Sequence, residues 1–103
     1  MRRASRTDSN HWAIVKAARK LGCLVHSTAA VGDGFPDIVI CLPNRLGRRV
    51  VLCEIKNGAL AASAQALTLE QVKFHALWPV TIIRSVDDLL KLLHRTKGGW
   101  RDL

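Results

Sequence analysis

Two stretches of the 103-residue chain decide the fold, Gly34-Phe35-Pro36-Asp37-Ile38-Val39-Ile40-Cys41-Leu42 and Arg49-Val50-Val51-Leu52-Cys53-Glu54-Ile55-Lys56. Their apolar, largely β-branched runs suit central strands covered on both faces. Pro36 lacks the donor a sheet ladder needs and is confined to the start of the first strand. Pro43-Asn44-Arg45-Leu46-Gly47 has turn chemistry, so the two strands are predicted to be antiparallel neighbours. Charge enters them at Asp37, at the start of one, and at Glu54 and Lys56, near the end of the other.

Working outward, Ile14, Val15, Ala18 and Leu21 fall at helical spacing, with Lys16, Arg19 and Lys20 on the other face and Gly22 as a stop, so a first helix is predicted over 9–21. Residues 23–28 are β-prone. Gly32-Asp33-Gly34 reads as a loop, because two glycines so close disfavour either regular element. Residues 57–67, rich in Ala, Gly and Ser without periodicity, read as a mobile loop. Thr68 and Gln71 have the spacing of a capping box, so a helix begins there with Val72, His75 and Ala76 inward and Phe74 in the core, and it ends at Pro79. Val80-Thr81-Ile82-Ile83 is a strand. Ser85 caps a last helix whose apolar stripe is Val86, Leu89, Leu90 and Leu93. The order αβββαβα implies an α/β domain, a mixed sheet of about four strands flanked by helices. Residues 1–7 read as a flexible basic arm, 8–96 as one domain and 97–103 as a basic C-terminal tail.

A carboxylate buried without a partner is costly, so Asp37, Glu54 and Lys56 require mutual pairing or a metal. Strand alternation puts Glu54 and Lys56 on one face, and antiparallel pairing brings Asp37 beside them. A hard divalent ion takes oxygen ligands and keeps several waters, so two carboxylates with the Ile55 backbone carbonyl suffice to hold Mg²⁺, with Mn²⁺ as a substitute. Such an ion polarises a scissile phosphate and lowers the pKa of a bound water, while a Lys56 ammonium steadies developing negative charge. The plainer alternative has Asp37 capping a turn while Glu54 and Lys56 pair on a sheet surface. The apolar residues around all three weigh against it.

From Gly34 to Asp88 the chain resembles the virus-type replication-repair nuclease (VRR-NUC) family of the PD-(D/E)xK superfamily. The resemblance rests on Gly34-Phe35-Pro36-Asp37, Glu54-Ile55-Lys56, Gly58, the stretch Leu69-Glu70-Gln71-Val72-Lys73-Phe74-His75, and Ile82-Ile83-Arg84-Ser85-Val86-Asp87-Asp88. It implies a restriction-endonuclease-like core, with Asp37 and Glu54 as metal ligands, Lys56 as the catalytic lysine and Gln71 as an accessory active-site residue. Gln71 equally fits a purely structural role in its capping box. Such nucleases usually carry a Glu in the first helix. Here that place falls on Asn10, with Asp8 slightly upstream as a substitute ligand or simply a charge at the helix start.

Sixteen Lys and Arg against eight Asp and Glu give a formal charge of +8, which favours a polyanionic partner. Arg2, Arg3, Arg6, Arg45, Arg48 and Arg49 gather in loops and the N-terminal arm; with Lys73 they are the expected DNA contacts, sequence-independent and salt-sensitive. Few aromatics argue against extended single-strand stacking. Cys23, Cys41 and Cys53 are an odd, widely spaced set that suggests neither a disulfide framework nor a zinc site, and His11, His26, His75 and His94 lack metal-ligand spacing. Without an apolar N-terminal stretch or a span-length apolar run, a cytoplasmic setting is expected. The expected activity is Mg²⁺-dependent endonucleolytic cleavage of branched or four-way DNA by a homodimer, the branched substrate and pairing resting on the resemblance. The rival expectations are a non-catalytic nucleic-acid-binding module on a degenerate nuclease fold and a protein–protein adaptor.

Overall fold

The computed structural model describes residues 8–101, with side-chain environments through Arg95. Helix α1 (His11–Lys20) leads into β1 (Leu24–Ser27), β2 (Ile38–Cys41) and β3 (Val50–Ile55); α2 (Leu69–Leu77), β4 (Val80–Ile83) and α3 (Val86–Arg101) follow. Short 3₁₀ turns occupy Asn44–Leu46 and Ala62–Gln65. The four strands form one sheet in the order β1-β2-β3-β4, antiparallel except for the parallel β3–β4 pair. The chain is therefore the expected α/β fold with a mixed sheet flanked by helices, but β2 and β3 are covered fully on one face only, Val39, Cys41 and Leu52 being half-buried and Val50 exposed on the other.

Strand alternation sorts the sheet into two faces. One carries Ile38, Ile40, Cys53, Ile55 and Ile83, all buried against Ile14, Val15 and Ala18 of α1 and Leu89, Leu92 and Leu93 of α3. Gly22, at φ +94°, ends α1 in the left-handed region, and the Gly22 and Cys23 amides close back on the carbonyls of Arg19 and Ala18. Buried His11 ties α1 to the sheet through Ser27, Nε2 to Oγ at 3.1 Å.

The second face is ordered in rows across the strands. Leu24, Cys41 and Val50 form one row and His26, Val39, Leu52 and Val80 the next. Asp37, Glu54 and Ile82 follow at the far end, where α2 approaches. Gly34 permits this approach, because a Cβ at its φ of +81° would collide with the Glu70 carbonyl of α2.

Four further expectations need correction. Val72 and Ala76 are exposed and Phe74 is only half-buried, between the Phe35 and Trp78 rings rather than in the core, because the face that α2 turns to the protein is Gln71, Phe74 and His75. The inward stripe of α3 is Leu89, Leu92 and Leu93, while Val86 and Leu90 face out. Residues 97–101, read as part of a tail, continue α3, since Gly98 and Gly99 weaken a helix without removing its hydrogen-bond donors. Finally, the segment read as a mobile loop is tethered. Asn57 Nδ2 donates to Ser9 Oγ, Gln65 Nε2 to the Leu60 carbonyl and Arg84 Nε to Gln65 Oε1. These side-chain bonds are invisible to a reading of composition. Arg2, Arg3 and Arg6 lie outside the described residues. Among the described residues no helix is long and apolar enough to cross a membrane.

Candidate active site

Asp37, Glu54, Lys56 and Gln71 line a single cavity of about 580 Å³ at the α2 end of the sheet. Asp37 is carried by the lead-in to β2, whose register pairs Ile38 with Cys53 and so sets Asp37 beside Glu54. Its Oδ2 accepts the Ile55 amide at 2.8 Å, which fixes the carboxylate against the β3 backbone. Glu54 is 2% exposed, and Lys56 is buried with it. The Lys56 ammonium stands 3.9 Å from Glu54 Oε2 and donates to Gln71 Oε1 at 3.1 Å and to the Ala66 carbonyl at 3.4 Å.

Gln71 completes the capping box expected of it and also touches Glu54 and Lys56. Its Oε1 accepts the Thr68 amide at 2.9 Å while the Gln71 amide binds Thr68 Oγ1 at 3.2 Å, completing the capping box. The same Oε1 receives Lys56, and Nε2 donates to Glu54 Oε2 at 2.9 Å. One amide thus caps α2 and holds the Glu54–Lys56 pair.

The Glu54 carboxyl is in an unfavourable place for an anion. Its other oxygen, Oε1, is buried without a donor. Burial first, and then the neighbouring Asp37 carboxyl, push its pKa up to about 9 against the opposing pull of Lys56. Deprotonated, the pair needs a positive charge between its oxygens.

The cavity wall compounds this need. Among the described residues Asp8, Asp33, Asp37, Glu54 and Glu70 line it with Lys56 as the one cation, which places there five of the chain's eight acidic residues in a protein of net charge +8. Asp33 and Glu70 were missed in the sequence. Their only signals there are Asp33's place between two glycines and Glu70's place next to Gln71.

The structure separates Asp8 from Asn10. Asn10 Nδ2 donates to the carbonyls of Lys56 at 3.2 Å and Arg84 at 3.1 Å, clamping the ends of β3 and β4 outside the cavity. Asp8 lines the cavity, and its charge contributes to the rise in the Glu54 pKa. Among the described residues no group of three or more His, Cys, Asp and Glu side chains is gathered closely enough to hold a metal; Asp37 and Glu54 stand side by side, and Asp8 lines the same cavity. An unpartnered buried carboxylate oxygen beside a second carboxylate fits a hard divalent cation.

The expected DNA contacts are not brought together. Arg45, Arg48 and Arg49 stand in the β2–β3 turn, roughly 16 Å along β3 from Glu54 at strand spacing. Lys73 sits on α2 beside Asp33 and Glu70, on the cavity's flank. The free thiols of Cys23 and Cys53 are buried, as expected, and burial raises the Cys53 pKa to about 12. Comparison with known protein families, curated proteins and solved structures finds no match to the chain.

Proposed function

We propose that the protein is a divalent-metal-dependent endodeoxyribonuclease that hydrolyses phosphodiester bonds, selecting DNA by structure, branched or four-way, rather than by sequence. The observation that carries this reading is Glu54, buried with a donorless oxygen and a pKa of about 9 beside Asp37, in a mainly acidic cavity that also holds Lys56. A core helix or a simple ion pair has no use for that arrangement. Hydrolysis at an anionic phosphate needs cation-binding oxygens and one fixed ammonium.

Asp37, Glu54 and the Ile55 carbonyl would hold Mg²⁺ or Mn²⁺, with Asp8 the residue placed to add to them. When bound, the ion polarises the phosphate and acidifies a water. Ile55 N–H and Gln71 Nε2 each hold one carboxylate oxygen, orienting Asp37 and Glu54 as the side chains that would take the ion. Gln71 Oε1 and the Ala66 carbonyl aim the Lys56 ammonium into the cavity, where it stabilises negative charge on the phosphoryl oxygens. The αβββαβα succession and the sheet order support a restriction-endonuclease-like core and the VRR-NUC resemblance. The uncovered apolar rows of the second sheet face support a homodimer.

Labelled branched and linear DNA, incubated with Mg²⁺ or Mn²⁺, tests the proposal. Wild type is expected to cut, and Lys56→Ala to lose about 10²–10⁴-fold in rate. The second reading, a non-catalytic DNA-binding module, is favoured by the helix-one position held by Asn10, whose amide serves as a clamp. Binding by both proteins with cleavage by neither would establish it.

A further inference from the structure

We infer that the outer face of α1, formed by Trp12, Lys16 and Lys20, is a DNA-backbone track leading from the cavity to the arginines of the β2–β3 turn. The inference rests on the nuclease reading for its substrate but not for its geometry. α1 starts at the cavity, because Asp8 lines it and the buried His11 ring lies close enough to Asp37 and Asp8 to feel their charges. The helix ends at the turn, where a Cβ on Gly22 would lie 3.5 Å from Pro43 and 3.8 Å from the Arg45 guanidinium. Two basic groups that are distant in sequence thereby become neighbours.

Trp12, Lys16 and Lys20 recur at four-residue spacing and so share one side of the helix, about 6 Å apart along its axis. All three are exposed, Trp12 to 60%, and together with Val15 and Arg19 they line one shallow groove. From Asn10 to Gly22 the chain has no carboxylate. Among the described residues the ion pairs are Lys56–Glu54 and Lys91–Asp87, so Lys16 and Lys20 have no acidic partner. Favourable interaction with the helix dipole accounts for cations in the last turn, and Arg19 is occupied by the Val25 carbonyl. Neither effect accounts for Lys16 or for the Trp12 indole, which meets the His11 ring edge-on and is otherwise exposed. The acids, meanwhile, are concentrated in the cavity. A strand whose scissile phosphate sat there would meet Trp12 first, then Lys16, Lys20 and Arg45, with α1 covering about four base pairs' length.

The test is a salt titration of binding to a labelled linear duplex, with the full-length chain carrying Lys56→Ala so that no cutting interferes. The double substitution Lys16→Ala, Lys20→Ala is expected to lower the slope of log affinity against log salt by roughly 0.9 for each phosphate that is no longer neutralised. Arginine at both positions should restore it, Lys91→Ala should leave it unchanged, and Trp12→Ala should weaken affinity without altering it. An unchanged slope in the double variant, or an equal fall in Lys91→Ala, would overturn the track. Cleavage by wild type separates the two proposals. A protein that binds through α1 and never cuts keeps the track and loses the nuclease. One that cuts with a slope indifferent to α1 does the reverse.

Discussion

At the scale of single residues, the account turns on Glu54 and on the amide of Gln71. Glu54 is a carboxyl whose folded pKa, about 9, lies above its ordinary 4.5. The folded state therefore binds the extra proton, and the stability it contributes is complete below pH 4.5 and is lost progressively as pH rises toward 9. In chelator, thermal unfolding should show this decline across that window. Glu54→Gln should flatten the decline, as should saturating Mg²⁺, whereas an undiminished slope in Glu54→Gln would assign it elsewhere. Gln71 allows its two roles to be separated. Thr68→Ala removes the cap and should cost about 1 kcal/mol of stability while largely sparing the Glu54 and Lys56 contacts. Gln71→Ala keeps the amide-to-Thr68 Oγ1 bond but removes the other half of the box together with the Glu54 and Lys56 contacts, and should reduce cleavage well beyond Thr68→Ala at similar stability, as paired melting and rate measurements would show.

At the scale of elements, much was legible because the signals were local. The two apolar strands, the turn between them, the Thr68–Gln71 box and the Gly22 stop each act within a few residues, and each appears where the sequence put it. The convergence of Asp37, Glu54 and Lys56 was legible for a different reason, since antiparallel register follows from a short turn. What stayed hidden depends on packing between distant segments. Nothing near Val72 says which face of α2 will dock, and nothing near Asn10 says that its amide will reach Lys56 and Arg84. Those bonds make a prediction of their own. Asn10→Ala, which takes the side-chain donor from the Lys56 carbonyl and leaves the Arg84 carbonyl with the Gly58 amide alone, should destabilise the protein by about 1–3 kcal/mol and leave Mn²⁺ affinity unchanged. Asp8→Ala should do the opposite, weakening Mn²⁺ binding in calorimetry with little effect on the melting temperature.

At the scale of the whole molecule, charge and apolar surface are both unevenly distributed. Acids converge on the cavity, cations run along α1 and the β2–β3 turn, and the open sheet face leaves Leu24 and Val50 about two-thirds exposed, at 67% and 66%. Pairing of two copies over that face would cover those rows and present two active centres to a symmetric junction. Sedimentation should accordingly show a dimer that Val50→Asp converts to a monomer; a wild-type monomer at the same concentrations would exclude the pairing. The central claim is that Asp37 and Glu54 share one cation. Anomalous diffraction from a Mn²⁺-soaked crystal addresses it most directly. The account predicts a peak within coordinating distance of both Asp37 and Glu54, with Lys56 nearby. A map with no peak there, and the two carboxyls hydrogen-bonded to each other at saturating Mn²⁺, would contradict it.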